Sequence, residues 1–168
     1  MIIKMYALID FYRDGSVKLY KTLAEAKDSL KSDFKKAEQE LTEEGRTFGK
    51  SNCYYLEEEY GMCFGDGCLS GHWWTILEVN IHENWLDKSN LFAVVKMMNE
   101  HTITVCDSRE MAEVVLRTNF ENKKKEILDS GMELDERTTE ILNNYANVSP
   151  KCSFAYNAWT IFDTTFGN

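Results

Sequence analysis

The chain has 168 residues, of which 43% are hydrophobic, 12% aromatic and 28% charged. That is enough apolar material for a packed interior and speaks against intrinsic disorder. Nineteen Lys and Arg against 28 Asp and Glu leave a net charge of −9, a sign that repels phosphates and speaks against direct nucleic-acid binding while favouring a basic protein partner.

No apolar run approaches the roughly 18 residues needed to cross a bilayer, and no basic leader opens the chain, so a soluble cytoplasmic protein without a membrane partner is expected. The five cysteines Cys53, Cys63, Cys68, Cys106 and Cys152 are odd in number and lack a framework spacing, which fits free thiols in a reducing compartment.

In chain order, Ala7, Ile9 and Phe11 alternate with Leu8, Asp10 and Tyr12, the period of two of a strand. Asp14 and Gly15 supply a tight turn, and Val17 to Tyr20 the return strand. Thr22 followed by Glu25 is a capping box, after which Leu23, Ala26, Leu30, Phe34, Ala37 and Leu41 recur at helical spacing until Gly45. Cys53 to Tyr60 and Trp73 to Asn80 read as two further strands, joined by the glycine-bearing stretch Gly61 to Gly71.

Residues 82–90 read as a short polar linker, and then the pattern repeats. At a shift of 86, Tyr6 to Gly45 align without a gap on Phe92 to Gly131, with identities including Ala26/Ala112, Leu30/Leu116, Phe34/Phe120 and Gly45/Gly131. One residue of slip later, Trp74, Thr75 and Ile76 meet Trp159, Thr160 and Ile161. The expected fold is therefore α+β: two tandem ββαββ units, at 1–81 and 91–168, each an antiparallel sheet with one helix. Ala7, Ile9 and Phe11 are expected on the helix side. Tyr6, Leu8 and Tyr12, with Phe92, Val94 and Met98, would form a second apolar face that packs the units as a pseudo-symmetric pair.

The familiar catalytic signatures, such as the Walker A loop, GxSxG, HExxH and CxxC, are missing, and no catalytic residue or cofactor is assigned. His72, His82 and His101 sit at no spacing that suggests a catalytic pair. Cys53, Cys63, Cys68 and His72 are the one set resembling metal ligands, although C-x4-C-x3-H departs from the usual zinc spacing. Glu57, Glu58, Glu59 and Asp66 give the first unit an acidic edge whose counterparts near Asn143 and Asn144 are neutral. Trp73 should face away from Trp74, either as packing or, beside His72, as a contact anchor.

The Asp-Gly hairpin turn, the helix capped by Thr22 and Glu25, and the closing Trp-x-Ile strand resemble small accessory proteins of bacterial phages and mobile elements; the resemblance carries no functional residue over. The preferred expectation is a non-enzymatic acidic protein-binding module, monomeric or homodimeric. It would inhibit a host defence nuclease, of the anti-CRISPR or anti-restriction type, by occluding the surface of that nucleic-acid-binding protein. Trp73, His72, Glu57, Glu58, Glu59 and Asp66 are the candidate contacts. The alternative is a zinc-binding or hydrolytic protein built on the Cys63/Cys68/His72 loop.

Overall fold

The computed structural model describes residues 1–11, 15–48, 54–65, 71–97, 100–151 and 156–167. Alternating side chains form β1 (Ile2–Asp10) and its antiparallel partner β2 (Ser16–Tyr20), in register from Tyr6 opposite Tyr20 to Asp10 opposite Ser16. Thr22 then opens α1 (Leu23–Glu43): its hydroxyl accepts from the Glu25 N–H at 3.2 Å, and the Glu25 carboxylate accepts from the Thr22 N–H at 2.9 Å. The exchange satisfies backbone donors that the first turn would leave without partners. Gly45 closes the helix at φ +76°, a left-handed conformation that costs a side-chain-bearing residue energy. Three strands follow, β3 (Tyr54–Leu56), β4 (Tyr60–Phe64) and β5 (Gly71–His82), giving the order β3-β4-β5-β1-β2.

One face of this sheet lies under α1. Ala26, Leu30, Phe34, Ala37 and Leu41 of the helix stripe pack on Leu8, Tyr20, Cys63, Trp74 and Ile76. Gly61 sits opposite Trp74 in the ladder, and a Cβ there would stand 3.3 Å from the indole and from the Leu30 and Leu56 side chains, so the small residue lets all three close in.

A 3-10 turn at Glu83–Trp85 leads into β6 (Leu91–Lys96) and β7 (Thr102–Cys106), then α2 (Arg109–Asp129), β8 (Glu140–Ile141), β9 (Tyr145–Val148) and β10 (Asn157–Phe166). Here the order is β8-β9-β10-β6-β7. Ala112, Leu116, Phe120 and Ile127 of α2 pack on Val94, Cys106, Ala146, Val148, Trp159 and Ile161. The Ser108 hydroxyl accepts from Met111 N–H at 3.2 Å, and because methionine stands where α1 has Glu25, only half of a capping box forms.

By contacts the chain divides into two compact bodies. The first comprises Ile2–Ile81 and the C-terminal residues from Thr165; the second comprises His82–Thr164 with Met1. The fold is α+β, with two helices and ten strands among the described residues and antiparallel ladders in both bodies. No helix is long and apolar enough to cross a membrane.

Backbone hydrogen bonds recur between the bodies at the sequence offsets noted above. Phe11 N–H donates to Trp73 O as Met97 does to Ala158 O, Glu57 to Tyr60 O as Leu142 to Tyr145 O, and Ile76 to Glu59 O as Ile161 to Asn144 O. Both helices end alike, with Gly45 N–H on Thr42 O and Gly131 N–H on Leu128 O.

Three expectations are corrected. Each helix is followed by three strands, not two, so the element order in each half is ββαβββ and not ββαββ. Glu57 to Glu59 are not mid-strand: Glu57 N–H bonds Tyr60 O at 2.8 Å, turning the chain back so that Gly61 to Phe64 form a strand and not a connection. Finally, Tyr6 and Leu8, with Phe92 and Val94, lie on the helix side, and Ala7, Ile9, Ala93 and Val95 on the other. A period of two fixes which residues share a face, but Leu8 and Ile9 are 2% and 0% exposed, so hydrophobicity alone could not tell which face a helix covers. Tyr12, Asp14 and Met98 lie outside the described residues.

Candidate functional site

Successive residues of a strand point to opposite faces, so β5 separates His72 from Trp73. His72 lies on the helix side, directly opposite Cys63 in the β4–β5 ladder. Its ring stacks on Trp74 at 5.1 Å and 7°, and its Nδ1 is 3.1 Å from Asp10 Oδ2. The two rings border a polar cleft of about 160 Å³ that also takes in Asp10, Ser16, Lys18 and Asp33, with Lys18 Nζ 3.0 Å from Asp33 Oδ2. Trp74 Nε1 is buried without a hydrogen-bond partner among the described residues.

Ser16, His72 and Asp10 in one cleft invite comparison with a nucleophile, base and orienting acid. Strand order sets the spacing of the three. Asp10 is the residue opposite Ser16, and β1 lies between β5 and β2, so the carboxylate sits between the other two side chains. The backbones of His72 and Ser16 are thus two strand spacings apart, about 10 Å, and His72 contacts Asp10 in the cleft.

On the other face, the ladders place Tyr55 opposite Met62 and Met62 opposite Trp73. Trp73 stacks on Phe11 at 4.6 Å and meets Tyr60 edge-on at 6.1 Å, while Tyr60 stacks on Tyr55 at 5.5 Å. Phe11, Tyr55, Tyr60, Met62 and Trp73 are all half-buried, so a row of large apolar side chains crosses four strands at the surface. At one end stands the β3–β4 turn, with Glu57, Glu58 and Glu59 all exposed. Lys27 of α1 pairs with Glu58 at 2.7 Å and with Glu59 at 3.5 Å, and that ammonium holds the Glu58 carboxyl below the usual carboxylate range. Burial raises the Tyr60 phenol, helped by its hydrogen bond with Tyr55.

The structure therefore joins Trp73 to the acidic turn through Tyr60 and sets His72 apart from both. Asp66, Cys53 and Cys68 lie outside the described residues. Cys63 is fully buried, and burial, aided by the nearby Glu38, pushes its thiol up to about 11. Among the described residues no group of three or more His, Cys, Asp or Glu is placed to hold a metal ion.

Sequence reasoning missed Asp10 as the partner of His72, and missed Tyr55, Met62 and Phe11 as neighbours of Trp73. The ladder was recoverable only with the turn in hand, since Tyr55 meets Met62 only if residues 57–59 reverse the chain. No protein-family model, curated protein or solved structure matches the chain.

Proposed function

We propose that the chain is a non-enzymatic acidic protein-binding module built from two copies of one ββαβββ unit, and that it acts by occupying the surface of a basic nucleic-acid-binding protein. Duplication is supported by the paired hydrogen bonds, by the equal placement of Phe34 and Phe120 on their helices, and by Trp74 and Trp159 in their cores. The anti-defence role, inhibition of a host nuclease, is what the duplicated compact unit, the acidic charge and the lack of a familiar catalytic signature suggest together, beside the resemblance to phage accessory proteins.

One observation carries the binding reading. The β3–β4 and β8–β9 turns make the same backbone bond, yet the first bears Glu57, Glu58 and Glu59 where the second bears Leu142, Asn143 and Asn144. Since the turn forms without them, three adjacent carboxylates are not a requirement of the fold. Lys27 offsets Glu58 and Glu59, but three carboxylates still share one exposed tip with a single paired cation, an excess of negative charge that a cationic partner would balance. Net charge does not distinguish the halves, at −5 for residues 1–85 (10 basic, 15 acidic) and −4 for 86–168 (9 basic, 13 acidic); the local arrangement does.

The test is capture from host lysate at about 50 mM salt, where screening is weak, with the natural chain and with Glu57, Glu58 and Glu59 all changed to Gln. A basic nucleic-acid-binding protein should be retained by the first, released as salt rises, and lost with the second. A partner held equally by both, or held regardless of salt, sinks the proposal.

A further inference from the structure

The row formed by Phe11, Trp73, Met62, Tyr55 and Tyr60 is a second feature in which the bodies differ, at every position but Tyr60. The β8–β9–β10 ladder has the same register, Glu140 opposite Asn147 and Asn147 opposite Ala158. At those places stand Glu140 for Tyr55, Asn147 for Met62 and Ala158 for Trp73, with Met97 for Phe11. Tyr145 keeps the place of Tyr60, and the ladder therefore forms with or without aromatic side chains at the places of Tyr55, Trp73 and Phe11.

Two properties of the row point to its ligand. Tyr55, Tyr60 and Trp73 are partly exposed, with the Tyr60 ring 5.5 Å from Tyr55 and 6.1 Å from Trp73, and ring faces attract cations. Glu57 stands at the end of the same surface, near enough to act on the Tyr60 phenol, whereas Glu58 and Glu59 are turned to Lys27 of α1. A lysine ammonium would satisfy the Glu57 carboxylate but is compact and strongly hydrated. An arginine guanidinium is planar and weakly hydrated, stacks on aromatic rings and bonds a carboxylate with two parallel N–H groups. Four adjacent strands span about 14 Å, and side chains on one face of an extended peptide recur every 7 Å or so, so two or three arginines cover the row.

We propose that this face of the first body is a docking surface for an arginine-bearing extended segment of the partner, with guanidinium groups stacked on Trp73, Tyr60 and Tyr55 and one of them paired with Glu57. The proposal rests on the binding reading above and adds the chemistry of what is bound.

The experiment uses the full chain and two fluorescent peptides of equal length and charge, one with arginine and one with lysine at alternate positions, followed by anisotropy. The arginine peptide should bind about fivefold more tightly, the size expected of one added cation–π contact. Trp73→Ala and, separately, Tyr55→Ala should abolish that preference while leaving the lysine peptide's affinity unchanged. Tyr55 lies on a three-residue strand, so its variant remains informative if Trp73→Ala perturbs folding, which circular dichroism would report. Equal affinity for the two peptides, or a preference that survives both substitutions, overturns the docking surface. Those outcomes leave the acidic turn untouched, because its own test is the loss of capture on changing Glu57, Glu58 and Glu59 to Gln.

Discussion

The two bodies agree where side chains are buried and disagree where they meet water. Trp74 and Trp159 both lie under a helix, 1% and 5% exposed, and both face a small residue across the ladder, Gly61 and Ala146. On the surface, Glu58 and Glu59 meet asparagines at matching positions, and at its margin the half-buried Trp73 meets the buried Ala158. The contrast teaches which features the fold needs: those present in both bodies are what packing demands, and those present in one are free to serve something else.

The largest effects should therefore be shared. Trp74→Ala and Trp159→Ala each remove a large buried ring and should cost about 3 to 5 kcal/mol in urea unfolding. If one costs several kcal/mol and the other almost nothing, the two cores are not equivalent, and the comparison fails at its base.

A pH dependence separates the bodies. The Tyr54 hydroxyl donates to Glu38, and this bond, together with burial, raises the phenol from its ordinary value near 10 to about 12. The folded state thus holds the proton more tightly than the unfolded one. The contribution is complete below pH 10 and is lost as pH rises through 12; it is on the order of 2 kcal/mol. Thr139 and Lys124 occupy the matching positions of the second body and cannot form the pair. Tyr54→Phe should flatten stability across that window, and an unchanged slope would mean that the bond contributes nothing.

Local chemistry made the helices legible from sequence. Thr22 with Glu25, a six-residue apolar stripe, and Gly45 name the start, the buried face and the end of α1, and each signal depends only on near neighbours. The β3–β4 hairpin was not legible, because its turn has three glutamates where glycine or asparagine would announce a reversal. With the hairpin went the row of rings, since Tyr55, Met62 and Trp73 become neighbours only through pairing. The face covered by α1 was hidden for another reason: β1 buries residues of both parities, so its pattern carries no sign.

Smaller effects test the helix ends. Gly45 and Gly131 have φ of +76° and +79°, and nothing lies within 4 Å of an added Cβ. Changing either to Ala should therefore cost only the backbone strain, about 1 kcal/mol in each case. A much larger loss at one site would reveal a contact that the other lacks.

The smallest expected effect runs the other way. Thr22 and Glu25 exchange two hydrogen bonds, whereas Ser108 has only the one to Met111 N–H. Met111 is 49% exposed, so replacing it removes little buried surface. Met111→Glu would place a carboxylate where Glu25 stands in α1, able to accept from the Ser108 N–H and lying near the positive end of the helix dipole. Stability should rise by about 0.5 kcal/mol, while Glu25→Met in α1 should lower it by a similar amount. If Met111→Glu destabilises, the exposed methionine is engaged in a contact of its own, and the two helix starts differ by more than one missing carboxylate.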